Sequence, residues 1–385
     1  MRKILFFQWD AFMQKGMEAA LKRLEPRLGM TVDTFFYRMG NWDEDSVLYE
    51  KLKNAITSSK GVDTLLMVNF CPVVSDVCQE LGVEYVSWIY DCPLHIRRTG
   101  ALANDCNRLY FFDRVQAEEY QSQGIANVYH ALLAVDTDIY DKILLSAADR
   151  KRYGCDASLV GKLYKTEYES LLRPLNQYMR GYLEGILNAQ SGVYGGYFLG
   201  ELIDVELMEK LNGAYASRND GSGKVLATEL EFTMNCEITG RERYMALALL
   251  SNYMSVNVYS GDADERLGKC RFGGYLDYYS QMPRAFKASK VNLNISLKAI
   301  QSGIPLRVYD VLGCHGFLLT NYQTELGEHF EDGRELVVYK DMGDLVEKAR
   351  WYAAHEAERQ RIADRGYEKV RTEFTFDRAL EGMLA

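Results

Sequence analysis

Between residues 291 and 339 the chain gathers side chains suited to a phosphorylated ligand. A polar, strand-like run at 291–295 leads to Ser302-Gly303-Ile304-Pro305, then Arg307, then a short helical segment carrying Asp310. A small-residue turn ahead of a helix offers backbone N–H groups to an anion. An arginine beside it can grip phosphate oxygens with two donors at once. Arg307 also lies in an otherwise apolar run, 304–312, where an unmatched charge is costly. Its other use is a salt bridge to Asp310, one helical turn on at i+3. A carboxylate such as Asp310 accepts hydrogen bonds from a ribose diol. The set reads as a sugar-nucleotide pocket. Ser302 and Gly303 line the phosphates, Arg307 compensates the diphosphate, and Asp310 holds the ribose.

Further candidates follow predicted strands. Gly161-Lys162 closes a strand at 157–163, and a glycine there lets a diphosphate approach the backbone. Ser260-Gly261-Asp262 either borders the nucleotide or is an ordinary turn. In the first half, Asp10, Asp91 and Asp113 each come just after a strand. A hydroxyl nucleophile needs a general base within hydrogen-bond reach, and Asp10 and Asp91 are the candidates. Helix capping is the competing role for both. Asp113-x-x-Gln116 has the shape of a capping box, so a cap is the favoured reading there.

Composition excludes several functions. The net charge is -9 with no basic cluster, which argues against a nucleic-acid partner. No apolar run reaches the roughly 18 residues of a membrane span. The opening MRKILFFQWD reads as a first strand and not as a signal peptide. The eight cysteines are scattered without CxxC spacing, as in a reduced, cytoplasmic protein. The five histidines show no metal-ligand spacing, and the one DxD of the second βα series, Asp262-Ala263-Asp264, lies in a charged loop, so no metal is expected. Of the 27 tyrosines, Tyr153, Tyr164, Tyr168, Tyr178 and Tyr182 crowd the middle of the chain, where half-buried helices explain them better than a sugar site does.

The elements that must position these residues alternate between strand and helix. Strands are predicted at 3–7, 32–37, 64–70, 85–90, 108–112 and 127–133, with helices between them. A second βα series begins at 157 and resumes at 255–259, 291–295, 316–320 and 336–339. Between its first two strands, 166–250 reads as a helical insertion, with one long helical stretch at 165–187 and a loop at 218–224. This rhythm predicts an α/β protein with mostly parallel sheets. The expected domains are 1–155, 156–365 and a final helical segment, 366–385. Ligands of doubly wound sheets sit on loops at the carboxyl ends of strands.

The asparagines of 291–295, Ser302-Gly303-Ile304-Pro305, Arg307-Val308-Tyr309-Asp310, Gly313-Cys314-His315-Gly316-Phe317 and Asp332-Gly333 resemble the C-terminal domain of the CgeB-like (spore maturation protein) glycosyltransferases. These belong to the GT-B type, with a group-1-like C-terminal domain. The segments 86–94, 157–164 and 351–378 fit as well. The family usually has Phe-Glu at Tyr309-Asp310 and Gly-Gly at His315-Gly316. The resemblance implies a GT-B fold, two Rossmann-like doubly wound domains facing a cleft, with the last helix packing back on the first domain. It implies transfer of a sugar from a nucleotide-diphosphate donor, of UDP or TDP type, to a hydroxyl of a glycan or of a surface or spore protein, without metal or other cofactor. By the same analogy Gly274 and Tyr275 run along the base. A nucleotide-sugar epimerase and a degenerate glycan- or partner-binding protein are the alternatives. The insertion is a candidate for acceptor binding or for a homodimer contact.

Overall fold

The apolar runs form twelve strands in two parallel sheets among the residues that the computed structural model describes, 1–59, 61–216 and 224–385. Of the loop expected at 218–224, all but Lys224 lies outside the described residues. The chain divides into two compact units. One comprises Met1–Lys142, Ser302–Gly313 and Glu368–Ala385, the other Ile143–Gln301 and Cys314–Tyr367. The division falls nearer residue 142 than 155, and the segment carrying Ser302, Gly303, Arg307 and Asp310 counts with the first unit.

The first unit holds β1 (Arg2–Gln8), β2 (Met30–Phe36), β3 (Thr64–Val68), β4 (Glu84–Ile89), β5 (Asn107–Phe111) and β6 (Val128–His130). Their order is β2-β1-β3-β4-β5-β6, with every pair parallel. A parallel sheet is covered on both faces, so its strands read as unbroken apolar runs. β3, Thr-Leu-Leu-Met-Val, is buried at all five positions. The helix Phe376–Leu384 belongs to this unit. Its Phe376 ring sits where a side chain on Gly16 would be, Asp377 pairs with Arg23 and Glu381 with Arg27.

The second unit holds β7 (Cys155–Val160), β8 (Val256–Tyr259), β9 (Arg271–Phe272), β10 (Ser289–Asn294), β11 (Leu318–Asn321) and β12 (Val337–Tyr339). Their order is β12-β11-β10-β7-β8-β9, again parallel throughout. The winding reverses between β1 and β3 in one sheet and between β7 and β10 in the other. Such reversals open a crevice beyond the carboxyl ends of the strands.

The insertion lies between β7 and β8 and has an apolar cluster of its own around Tyr168, Leu183, Leu211 and Leu230. Its last helix, Ala227–Leu250, ends in Ala246, Leu247 and Leu250, which join the core under the second sheet. The helical stretch expected at 165–187 is broken into Tyr168–Leu172 and Gln177–Gln190. Pro174 lacks the N–H and crowds the turn before it. Asn176 then starts the new helix by accepting the Met179 N–H.

Candidate active site

In the first unit, loops at the carboxyl ends of β1, β3 and β4 converge. The Trp9 indole N–H donates to the Val68 carbonyl at 2.9 Å, tying the first two loops together at the winding reversal. Asp10 is exposed, and its nearest cation is Arg38 at 3.9 Å. The following helix begins at Gln14 without a capping side chain, so Asp10 is not a cap. Asn69 adopts a left-handed backbone, φ +62°, which Asn tolerates better than most residues. Its Oδ1 accepts the N–H groups of Tyr90 at 2.7 Å and Asp91 at 3.2 Å, and its Nδ2 donates to Asp91 Oδ2 at 2.9 Å. Asp91 is exposed, and the next helical turn starts only at Thr99. The capping alternative therefore fails for Asp91 too. Asn69, which holds the Asp91 carboxylate, had no role in the sequence reading, and its place after an apolar strand was the one signal for it.

Asp113 is a cap, as its spacing indicated, and the structure adds a second task. The carboxylate is fully buried. Oδ1 accepts the Gln116 N–H at 2.9 Å, and Oδ2 accepts the N–H groups of Ser302 at 2.9 Å and Gly303 at 3.0 Å. The Ser302 hydroxyl in turn accepts the Val115 N–H at 3.2 Å. The donors expected to stand open for a diphosphate are thus held by a protein carboxylate. Gly303 is pressed against the same loop. A Cβ there would lie 2.9 Å from Asp113 Cα and from the Phe112 carbonyl oxygen. Gly303→Ala is expected to destabilise the protein by about 1–3 kcal/mol, as overpacking does, read from the midpoint of urea unfolding. An unchanged midpoint would show that this contact yields freely.

Ser302 and Gly303 lead into the helix Leu306–Gly313. Arg307 Nη1 lies 3.1 Å from Asp310 Oδ2, so the i+3 pair forms. The Tyr140 hydroxyl donates to Asp310 Oδ1 at 3.0 Å. Asp310 is 1% exposed. Its carboxylate is shared by two protein partners and does not stand open as a ribose acceptor would. Arg307 keeps a quarter of its side chain exposed.

In the second unit the crevice between β7 and β10 is spanned by Arg243, which is 8% exposed. Its Nε and Nη2 donate to the Ile295 carbonyl, at 3.1 and 2.5 Å, and its Nη1 donates to the Lys162 carbonyl. The Tyr164 ring lies 4.9 Å from its guanidinium carbon. Gly161 has φ +155°, and a Cβ there would sit 3.2 Å from Arg243 Nη1. Tyr164 has φ +54°, a conformation that bulky residues avoid and that tends to mark functional loops. Arg243 thus fastens the loop bearing Gly161 and Lys162 to the loop after β10. Sequence reasoning passed over it because its helix was assigned to the insertion. Lys162 is exposed.

Gly274, φ +70°, and Tyr275 lie exposed in the loop after β9. Ser260 accepts the Asp262 N–H through its hydroxyl, a bond that closes a local turn. His315 has φ +54° and stacks on Tyr367 with ring centres 3.5 Å apart. Glycine reaches this left-handed backbone without steric cost. Among the described residues no three His, Cys, Asp or Glu side chains are grouped to hold a metal ion, and no helix is long and apolar enough to cross a membrane.

Comparison with known proteins bears on these features. Residues 231–385 match a family model described as glycosyl transferase-like. No curated protein matches the chain. Among solved structures, HepE of Anabaena in complex with UDP and glucose aligns with TM-score 0.56 and 11% identity, over 100% of this chain and 99% of that one. A glycosyltransferase from Rickettsia africae aligns at 0.59 and 9%, over 100% and 97%. Sucrose-phosphate synthase from Thermosynechococcus elongatus aligns at 0.54 and 10%, also over 100% and 97%. At such identities the likeness establishes the fold, which is GT-B. The match to the glycosyl transferase-like family model begins within the last insertion helix and takes in β8 to β12.

Proposed function

We propose that the protein transfers a sugar from a nucleotide-diphosphate donor, of UDP or TDP type, to a hydroxyl of a glycan or of a surface or spore protein. The observation that carries this reading is the glycosyl transferase-like match over 231–385, which takes in β8 to β12. HepE, with the same fold, was solved with UDP and glucose. In the roles proposed, Asp91 is the general base, with Asp10 as second candidate. Gly161, Lys162 and Arg307 meet the diphosphate, and Gly274 and Tyr275 run along the base. Ser302, Gly303 and Asp310 join the donor only by exchanging their contacts with Asp113, Arg307 and Tyr140 for ligand contacts. Those contacts favour one competitor, a degenerate protein of the same fold that binds a glycan or partner without turnover.

Thermal unfolding with UDP, TDP, GDP, ADP and CMP separates the two. A ligand at about 100 times its Kd stabilises by about 2.7 kcal/mol, and UDP or TDP is expected to do so. Release of free diphosphate from the matching nucleotide sugar then establishes catalysis, and loss of that release in a folded Arg307→Ala variant supports the role given to Arg307. Stabilisation without release would favour the binding protein, and no stabilisation by any nucleotide would overturn the donor reading.

Turnover is expected to survive EDTA. GT-B enzymes generally meet the leaving diphosphate with basic groups and helix N-termini, whose electrostatic stabilisation can replace a metal. Activity lost in EDTA and restored by Mn²⁺ or Mg²⁺ would contradict this.

A further inference from the structure

The roles above leave one part of the insertion unused, the run Ser191-Gly192-Val193-Tyr194-Gly195-Gly196-Tyr197. It has no regular structure yet is fixed at several points. Buried Gln190 donates through Nε2 to the Gly196 carbonyl at 3.0 Å and accepts the Phe198 N–H at 2.9 Å. The Gly192 N–H donates to Glu242 Oε1 at 3.1 Å. A Cβ on Gly195 would lie 2.6 Å from the Tyr322 ring, so the loop and that ring lie in close contact. Glycine and tyrosine together supply adaptable backbone and rigid amphipathic surface, a combination that binding loops favour.

Two hollows meet at this loop, and Tyr194 and Tyr322 line both. The first, of about 20 Å³, has room for a water only, and is lined by Glu242, Ser296, Lys298, Asn321 and Gln323, each under a tenth exposed. Lys298 Nζ stands 3.1 Å from Glu242 Oε1 and 4.5 Å from the centre of the Tyr194 ring. The second is a cleft of about 760 Å³, where Phe330 adds a further aromatic wall and Asp332 and Lys340 add polar groups. That volume is within the range of ordinary ligand sites.

The chemistry of the walls selects the occupant. Aromatic rings offer flat apolar faces with polar tips. In the larger cleft Glu331 and Asp332 supply acceptors and Lys340 a donor beside those rings. A pyranose asks for this pairing, with C–H faces to stack and hydroxyls to satisfy. A phosphate is a poor fit, because Lys340 shares the cleft with the carboxylates of Glu331 and Asp332, and the buried ammonium of Lys298 is already matched by Glu242 and the Tyr194 face. An apolar protein helix is a poor fit to a cleft that carries Glu331, Asp332 and Lys340.

We infer that the Ser191–Tyr197 loop and the carboxyl ends of β10, β11 and β12 form a cleft for an uncharged glycan, separate from the residues proposed for the donor. Its place in the insertion gives that element a function, holding the chain that is to be extended. The inference goes beyond the transferase reading and can be tested apart from it.

The full chain would be applied to a broad array of immobilised neutral glycans, beside its Tyr322→Ala, Tyr322→Phe and Tyr194→Phe variants. Tyr322 is 39% exposed, so its truncation is compatible with folding. The wild type should retain at least one neutral glycan, and Tyr322→Ala should weaken that binding about tenfold. The two phenylalanine variants, which keep the rings, should bind within a fewfold of wild type. UDP-induced thermal stabilisation, measured on the same proteins, should be equal in all four. Absence of any neutral glycan signal from the wild type, or equal binding by Tyr322→Ala, would overturn the cleft. A missing UDP effect in every protein would strike the donor reading and leave the glycan result standing.

Discussion

Asp91→Asn is expected to lower sugar transfer by about 10²–10⁴-fold, the range in which a positioned general base contributes, while nucleotide binding stays as in the wild type. The side chain is exposed, and Asn69 fixes it through Nδ2 at 2.9 Å. Asparagine keeps its size and shape but cannot take a proton. Because Asp91 caps no helix, the change should leave stability nearly untouched, and an effect on rate cannot be mistaken for one on folding. Asn69→Ala would act through Asp91 and should lower kcat less, with little change in KM for the donor. Asp10→Asn should matter less still, since the Asp10 carboxylate has only a loose 3.9 Å contact with Arg38. Full turnover by Asp91→Asn, with a collapse in Asp10→Asn, would move the base to Asp10.

What the sequence made legible was local or periodic. β3 is buried on both faces, so its five residues announce a strand of a parallel sheet. The Asp113 cap could be read from a partner three residues away. So could the Arg307–Asp310 pair, which stood as the alternative to phosphate binding. The break at Pro174 was equally local, and leucine and tyrosine spacing hid it. Nothing local, however, announces that the Asp113 carboxylate also holds residues 189 and 190 positions further on. Tyr140 and Asp310 are 170 positions apart. Arg243 reaches carbonyls 81 and 52 positions away. These contacts decide whether the donor groups named from the sequence are open or engaged, and they exist only once segments far apart in the chain have folded together. Candidate residues could therefore be picked by type and place, while their availability to a ligand could not.

Asp113→Ala is expected to cost about 3–5 kcal/mol of stability, because the N–H groups of Gln116, Ser302 and Gly303 lose their acceptor together in a buried setting. Urea unfolding followed by circular dichroism measures it. Asp113→Asn should recover part of the loss, since the amide oxygen can accept from one side of the clasp but its NH₂ cannot replace the other. A wild-type midpoint in Asp113→Ala would mean that water serves these donors as well as the carboxylate does. The same variant decides what Ser302 and Gly303 are for. Where a diphosphate uses their N–H groups, it must first displace a covalently tethered carboxylate, and that competition weakens binding. Removing the carboxylate then leaves two donors aimed at the ligand, so UDP should stabilise Asp113→Ala more than it stabilises the wild type. Equal stabilisation would give Ser302 and Gly303 a structural role alone, holding the start of the Leu306–Gly313 helix against the β5 loop, and would leave the diphosphate to Gly161, Lys162 and Arg307.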